Sequence, residues 1–392
     1  SQKSTTFKPE LDYMTNWCEW MDVQNGADVR GSHQFGQTRF LATPRDMATY
    51  VRFDALYQAY LNACLIMLAQ LGDKVATLEL QDGFPDKLGQ APNSLDEHAR
   101  TGFASFGGPH ILSLVTEVAT RCLKAARRQK FNWHRRARPE KISGLLTLAA
   151  LAGGKDVPAL GTHTQKSAYG MVEQLEEAGL AELIHAFNQQ REIKNASHRR
   201  ITAKHPGWLA NADNGNLLHA MAFPEGSPMH PAYAAGHATV AGGCVTMLKA
   251  FFKTIGDDHL PIDWSVMNLP IAEARIDAEN MTSTLCELAA EDSRRAGMTI
   301  EGELNKLAAN ISIGRNMAGV HYYSDYYDSL RMGERVAVGI LVEQMQSYDE
   351  LVTMKLRSFD GDLIEIGTCY PDKVRNETVR VNGRAQVVRD LP

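Results

Sequence analysis

Cysteine is scarce in this chain: Cys18, Cys64, Cys122, Cys244, Cys286 and Cys369 are spread over 392 residues with no C-x-x-C pair. This spacing excludes a disulfide framework or a thiolate zinc site, and the six read as buried free thiols that fix no redox compartment. No uninterrupted apolar run reaches the roughly 18 residues of a membrane-spanning helix, so no span is expected. The N-terminus lacks the basic, apolar and small-residue progression of a signal peptide, as a processed chain also would. A soluble chain, secreted or periplasmic once any leader is removed, fits, but the compartment is not encoded. Positive charge is not in excess either. Lys and Arg total 41 against 46 Asp and Glu, a net charge of −5, which argues against general nucleic-acid affinity. No H-E-x-x-H pattern, internal repeat or low-complexity tract is present.

What is present is a large helical pattern. With 44% hydrophobic and 22% charged residues, the chain can bury a sizeable core without metal or disulfide. Apolar residues recur at helical spacing from Arg45 to Leu71 and from His110 to Lys130, and further helices are expected over 140–152, 163–188, 235–254, 279–296, 300–317 and 325–348. Residues 83–108 read as a loop, and 189–232, rich in His, Asn, Pro and Gly, as a long loop of the kind that covers a site. Strand-like alternation is confined to Leu363–Gly367 and Thr378–Arg384. The expected class is mainly α: a large helical-bundle domain over 44–350, preceded by an extended or irregular arm over 1–43 and followed by a tail over 351–392 with a few short strands.

Three basic or histidine-bearing segments stand out. The first runs from Lys130 through His134 to Arg138-Pro139. The second, Met229-His230-Pro231-Ala232-Tyr233-Ala234-Ala235-Gly236-His237-Ala238-Thr239, ends a polar loop and leads into an apolar helix. The third runs from Gly314-Arg315 to His321 and Asp325. Free N–H groups at a helix start favour an anion, Gly236 lets backbone approach it, and His237 can give or take a proton beside it. Arginine supplies a planar fork for two oxygens and lysine a point charge, so Lys130, Arg138 and Arg315 suit a tetrahedral oxyanion. Asp325, four residues after His321, can engage one imidazole nitrogen and leave the other free. The remaining basic residues here, Lys124, Arg128, Arg135 and Arg136, read as partners of carboxylates or as contacts between subunits. The lack of a Cys/His cluster, together with three nearby cations, argues against a divalent-metal site built from His230, His237 and His321.

The order K-x7-RP, H-P-x-Y-x-x-GHAT and GR-x5-H-x3-D resembles the vanadium-dependent haloperoxidases, which share their anion pocket with the type 2 phosphatidic acid phosphatases. The likeness covers about residues 38–350, includes Thr43–Val51, Asp54–Cys64 and Phe106–Leu114, and is nearest to the bromoperoxidases of red algae and their bacterial relatives. It implies vanadate as cofactor. Lys130, Arg138 and Arg315 would ring its equatorial oxygens with the Gly236 N–H, His321 would bond the vanadium, and His237 would relay protons. The implied reaction oxidises bromide or iodide with hydrogen peroxide to a hypohalous acid equivalent that halogenates small organic nucleophiles. By the same resemblance His230 and Arg127 match residues of bromoperoxidases, which favours bromide over chloride. A homodimer or larger homo-oligomer is expected; some relatives carry calcium, which nothing in these residues derives.

One departure matters. Where the family pattern has Ser-Gly-His, this chain has Ala235-Gly236-His237, and loss of a hydrogen bond to a charged group costs roughly 1.5–3 kcal/mol. Two alternatives therefore stay open at this point. One is an acid phosphatase with His321 as nucleophile, disfavoured by K-x7-RP where phosphatases commonly have K-x6-RP; the other is a weakly active oxyanion-binding homologue.

Overall fold

The structure is a computed structural model that describes residues 3–71, 107–153, 161–195, 216–348, 353–369 and 376–386. It is mainly α. The segment expected to be an irregular arm contains β1 (Lys3–Phe7), α1 (Trp17–Gln24) and β2 (Phe35–Phe40), with β1 and β2 paired antiparallel. A buried ion pair ties it to the body, because Arg39 donates from Nε and Nη2 to Asp46 at 3.2 and 2.8 Å. Asp46 also closes the capping box of α2 (Pro44–Phe53) with Thr43, which satisfies donors that the helix start leaves unpaired.

The single helix expected from Arg45 to Leu71 is in fact two, α2 and α3 (Gln58–Leu71). The break falls at Asp54, which ends α2 in an extended conformation; aspartate competes with the helix by offering its own side-chain hydrogen bonds. The expected loop 83–108 lies outside the described residues up to Gly107, the N-cap of α4 (Gly108–Arg128). After α4 a π-helical turn, Gln129–His134, carries Lys130, and α5 (Pro139–Ala152) follows.

The stretch 163–188 is likewise divided, into α6 (Thr162–Glu177) and α7 (Leu180–Asn195), with Gly179 at φ +69° between them. Helix α7 therefore takes up the first part of the long loop expected from 189; residues 196–215 of that loop lie outside the described residues. The stretch from Asn216 to Ala235 that precedes α8 (Gly236–Phe251) is irregular, as expected.

The helix expected over 279–296 is wrong. Residues Ser283–Glu287 form β4, antiparallel to β3 (Ala272–Ile276), and only Ser293–Arg295 make a short 3-10 turn. Asp277 accepts from the N–H groups of Glu279 and Asn280, and its turn folds the chain back into a hairpin. Helices α9 (Ile300–Met317) and α10 (Tyr323–Met345) come close to expectation. The tail forms a four-stranded antiparallel meander of β5 (Thr353–Arg357), β6 (Leu363–Cys369), β7 (Asn376–Val381) and β8 (Arg384–Gln386), in that order. Its β7–β8 turn has both Asn382 and Gly383 at positive φ, the geometry tight hairpins favour. Among the described residues no helix is long and apolar enough to cross a membrane.

Helix α8 is the core element. Every residue from Ala238 to Phe251 is buried, as expected for a helix that is apolar nearly all round; the one charge, Lys249, donates from Nζ to Asn305 Oδ1 and Arg357 O. It packs against α4, α9 and α10, with Val240, Val245 and Leu248 in one apolar cluster with Val115, Ile311 and Leu341. Glycine sets its distance from α10. A Cβ on Gly242 would lie 1.9 Å from the carbonyl oxygen of Leu330, and one on Gly333 would lie 2.0 Å from that of Thr239. Backbone cannot yield as a side-chain end can, so Gly242→Ala is expected to lower stability by about 3 kcal/mol or more, read as the shift of a urea or thermal melt. A melt unchanged from the parent protein would show that the two helices are not locked at this distance.

Candidate active site

The three segments singled out in the sequence converge where α8 and α10 begin. Lys130 is buried in the π-helical turn and donates from Nζ to the carbonyl oxygens of Pro231 and Ala232, at 2.7 and 3.0 Å. Arg138, the residue that caps α5, donates from Nε to His230 O at 2.8 Å and from Nη1 to Val320 O at 2.6 Å. Arg315, in the last turn of α9, donates to Val51 O at 3.1 Å, while its Nε is buried with no hydrogen-bond partner. Burial depresses all three cations, and repulsion from neighbouring cations adds to it for Lys130 and Arg315. Lys130 falls from its usual 10.5 to about 7, by burial first and then by Arg138, with Asp325 opposing. Arg138 and Arg315 each fall to about 10, again chiefly by burial.

His321 follows the turn after α9. Its Nδ1 lies 2.9 Å from Asp325 Oδ2, and its Nε2 lies 3.1 Å from Arg138 Nη1. An arginine can only donate, so Nε2 is the bare nitrogen and Nδ1–H donates to Asp325. Burial, backed by Arg138, Lys130 and Arg315 and opposed by Asp325, holds this imidazole at about 3. It is therefore neutral at physiological pH. For Asp325, burial pulls upward, but the hydrogen bonds from His321 and the Tyr322 N–H outweigh it and keep the carboxyl low.

Ala235, Gly236 and His237 form the start of α8. The Ala235 N–H donates to Ser329 Oγ at 2.8 Å, and no side chain caps the helix. Its first N–H groups are left for a ligand. His237 Nε2 sits 3.0 Å from Asp54 Oδ1, so its other nitrogen, Nδ1, remains for proton transfer; burial lowers its pKa and Asp54 opposes. His230 also joins the site, since its Nδ1 accepts from Arg138 Nη2 at 2.9 Å. Burial, Lys130 and Arg138 hold it at about 4. Arg127 does not join: it is exposed, with its guanidinium 6.0 Å above the Phe131 ring, and among the described residues it has no hydrogen bond or ion pair to a site residue.

Two residues of the site escaped the sequence reading. Asp54 lay inside a stretch read as continuous helix, and only the break in that helix turns its carboxylate towards His237. Arg136 was one of four undifferentiated cations; it donates from Nη1 to Asp325 Oδ1 at 2.8 Å. An unevenly spaced Asp in an apolar helical pattern was the available signal for the first. Nothing in the spacing distinguished the second.

The donor set fits a tetrahedral oxyanion. It holds three cations, an Arg315 Nε with no partner, uncapped N–H groups and one neutral imidazole whose unprotonated Nε2 meets only the Arg138 donor among the described residues. Among the described residues no group of His, Cys, Asp and Glu could hold a metal cation instead.

The comparisons with known proteins agree with this geometry. The family model described as the VCPO second helical-bundle domain matches residues 183–349. The chain is 42% identical over 370 residues to a vanadium-dependent bromoperoxidase of Corallina pilulifera, an alignment covering 93% of the chain and 53% of that protein. It is 41% identical, with the same coverage, to one of Corallina officinalis. A solved homohexameric vanadate-dependent bromoperoxidase from Ascophyllum nodosum shares the fold, with a TM-score of 0.68 and 24% identity, covering 98% of this chain and 57% of that one. The chain thus spans about half the length of the curated relatives it matches.

The depressed Lys130 has a measurable consequence. In the anion-free site Lys130 loses its proton near pH 7, and a bound anion raises that pKa again. Above about pH 7 binding must therefore take up a proton, and affinity is expected to fall by up to about tenfold per pH unit. Sulfate, whose own charge is constant in this range, can be titrated calorimetrically, and Lys130→Met should flatten the slope as well as weaken binding. A pH-independent affinity in the parent protein would contradict the assignment.

Proposed function

We propose that this chain, 42% and 41% identical to two vanadium-dependent bromoperoxidases, belongs to the vanadium-dependent haloperoxidase family and uses vanadate and hydrogen peroxide to oxidise bromide, and iodide, to a hypohalous acid equivalent that halogenates small organic nucleophiles. The observation that carries this reading is His321. Buried, neutral and oriented through Nδ1, it offers a bare Nε2 in a ring of three cations.

In this reading Lys130, Arg138, Arg315 and the Gly236 N–H would hold the oxygens of the cofactor, and His321 would hold its vanadium through Nε2. Vanadate supplies, when bound, a Lewis-acidic centre at which peroxide becomes an oxidant for halide. His237, with Nε2 tied to Asp54, moves protons through Nδ1. Lys130, its charge held in place by the carbonyl oxygens of Pro231 and Ala232, would stand beside the oxygens of the cofactor and polarise the oxidant. His230, fixed by Arg138, bears on halide choice in favour of bromide; Arg127, outside the site, is given no role in it. The helical body over 44–350 is the vanadate-binding domain, a homo-oligomer is the proposed assembly, and secretion or a periplasmic site is the proposed location. No calcium site is proposed. An acid phosphatase would use the same residues, but the similar proteins are named bromoperoxidases, which favours the peroxidase.

Metal-free protein assayed with and without orthovanadate should brominate a phenol dye only when vanadate is present. His321→Ala is expected to lower that activity by at least about 100-fold. Activity that survives the substitution, or p-nitrophenyl phosphate hydrolysis that vanadate suppresses in the absence of bromination, would overturn the proposal.

Ala235 gives a second expectation. It is 1% exposed at the cap of α8, and a serine hydroxyl there would regain about 1.5–3 kcal/mol of hydrogen bonding to the anion. Ala235→Ser should tighten vanadate binding about tenfold or more, read by equilibrium titration. Weaker binding in the variant would show that the alanine is required by packing.

A further inference from the structure

We propose that Arg136 is a positioning residue of this site: by gripping the outer oxygen of Asp325, it fixes the carboxylate that holds His321 with Nδ1 protonated and Nε2 bare. The proposal rests on the reading that Nε2 bonds the cofactor.

The geometry is a chain of three groups. Asp325 Oδ2 accepts from His321 Nδ1 at 2.9 Å and from the Tyr322 N–H at 3.1 Å. Its Oδ1 accepts from Arg136 Nη1 at 2.8 Å. The carboxylate is 0% exposed whereas the Arg136 side chain is 40% exposed, so the arginine reaches inward from the rim to a buried anion. It is itself held at several points. The same Nη1 donates to Ser324 Oγ at 2.8 Å, the guanidinium lies 4.3 Å above the Tyr322 ring, and the Arg136 carbonyl oxygen accepts the Ala232 N–H at 2.9 Å. One residue thus joins the turn that carries Lys130 and Arg138, the loop that leads to Gly236, and the first turn of α10. Among the described residues its neighbour Arg135 makes only a local side-chain bond, from Nε to Phe131 O.

The effect is on orientation more than on stability. A half-exposed ion pair contributes little to folding. Yet the hydrogen bond made by one imidazole nitrogen decides which nitrogen is left free, and a carboxylate gripped at one oxygen only can turn about its bond to Cβ. The charged groups facing His321 are Asp325 from α10, Arg138 from the cap of α5, Lys130 from the π-helical turn and Arg315 from α9. Asp325 is the single anion among them. With Arg138, which can only donate to Nε2, its placement sets the tautomer.

The test uses Arg136→Met and Arg136→Lys in the full chain, both purified without anion. Nitrogen–proton correlation spectra of the His321 ring, assigned by their loss in His321→Ala and recorded at one neutral pH, report the tautomer without any cofactor. The parent protein is expected to show Nδ1–H alone. Arg136→Met should loosen the Nδ1–H bond to Asp325, read as a shifted and faster-exchanging Nδ1–H signal, and bind orthovanadate about tenfold more weakly, and Arg136→Lys should restore most of both. Where Arg136→Met melts well below the parent, Arg136→Gln takes its place. Ring signals that match the parent in the folded charge-free variant would overturn the proposal. If the parent binds no vanadate, the functional reading fails, while the ring spectra still decide the role of Arg136.

Discussion

Three cations held out of water beside one another are the constraint on which this structure turns. Desolvating even one charge costs several kcal/mol unless its donors are paired. Here the compensation is largely main chain: the carbonyl oxygens of Pro231 and Ala232 for Lys130, of His230 and Val320 for Arg138, and of Val51 for Arg315. These carbonyls come from the loop before α8, the turn between α9 and α10, and the end of α2. The pocket is therefore positive only because distant segments agree on one geometry. Carbonyl dipoles steady the cations without neutralising them, as a carboxylate would. The field that remains suits an anion: Arg138 and Arg315 supply it before the anion arrives, and above about pH 7 Lys130 completes it by taking up a proton as the anion binds.

The helix pair α8 and α10 supplies that agreement. Their close approach at Gly242 and Gly333 sets the start of α8, with its open N–H groups, beside the start of α10, where His321 and Asp325 lie. A hydrogen bond from the Ala235 N–H to Ser329 Oγ joins the two ends directly. Rigid backbone contact matters here because a bonding nitrogen and an oxyanion hole must coincide to within a fraction of an ångström. Apolar side chains alone would leave the pair freer to slide.

How much of this was legible in the sequence follows from the range of each interaction. Lys130, Arg138, Gly236, His237, Arg315, His321 and Asp325 lie in short ordered motifs, and the helices carrying them have clear apolar periods, so both could be read. Asp54 and Arg136 could not. Their partners, His237 and Asp325, are 183 and 189 residues away, and a pairing at that distance leaves no local pattern. The hairpin of β3 and β4 was misread as helix because apolar residues in 279–296 fit both periods, and a turn made by one aspartate side chain decided between them. The N-terminal segment showed no period because its two strands are short and pair with each other across α1.

The two histidines show what the structure adds to the motif. Each leans on one carboxylate, but through opposite nitrogens: His321 through Nδ1 to Asp325, and His237 through Nε2 to Asp54. Under the proposed function this divides the work. His321 is held at about 3 by burial and three cations, so it keeps a lone pair available across the physiological range, which a ligand needs and a proton carrier does not. His237 is also shifted down by burial, but the hydrogen bond it donates to Asp54 leads the forces that oppose the shift, and a bound anion adds to the opposition. An imidazole balanced in that way can take up and release a proton as the charge beside it changes. The same residue type, with the same kind of partner, thus serves as a fixed base at one helix start and a proton relay at the other, and what separates them is which nitrogen the carboxylate holds.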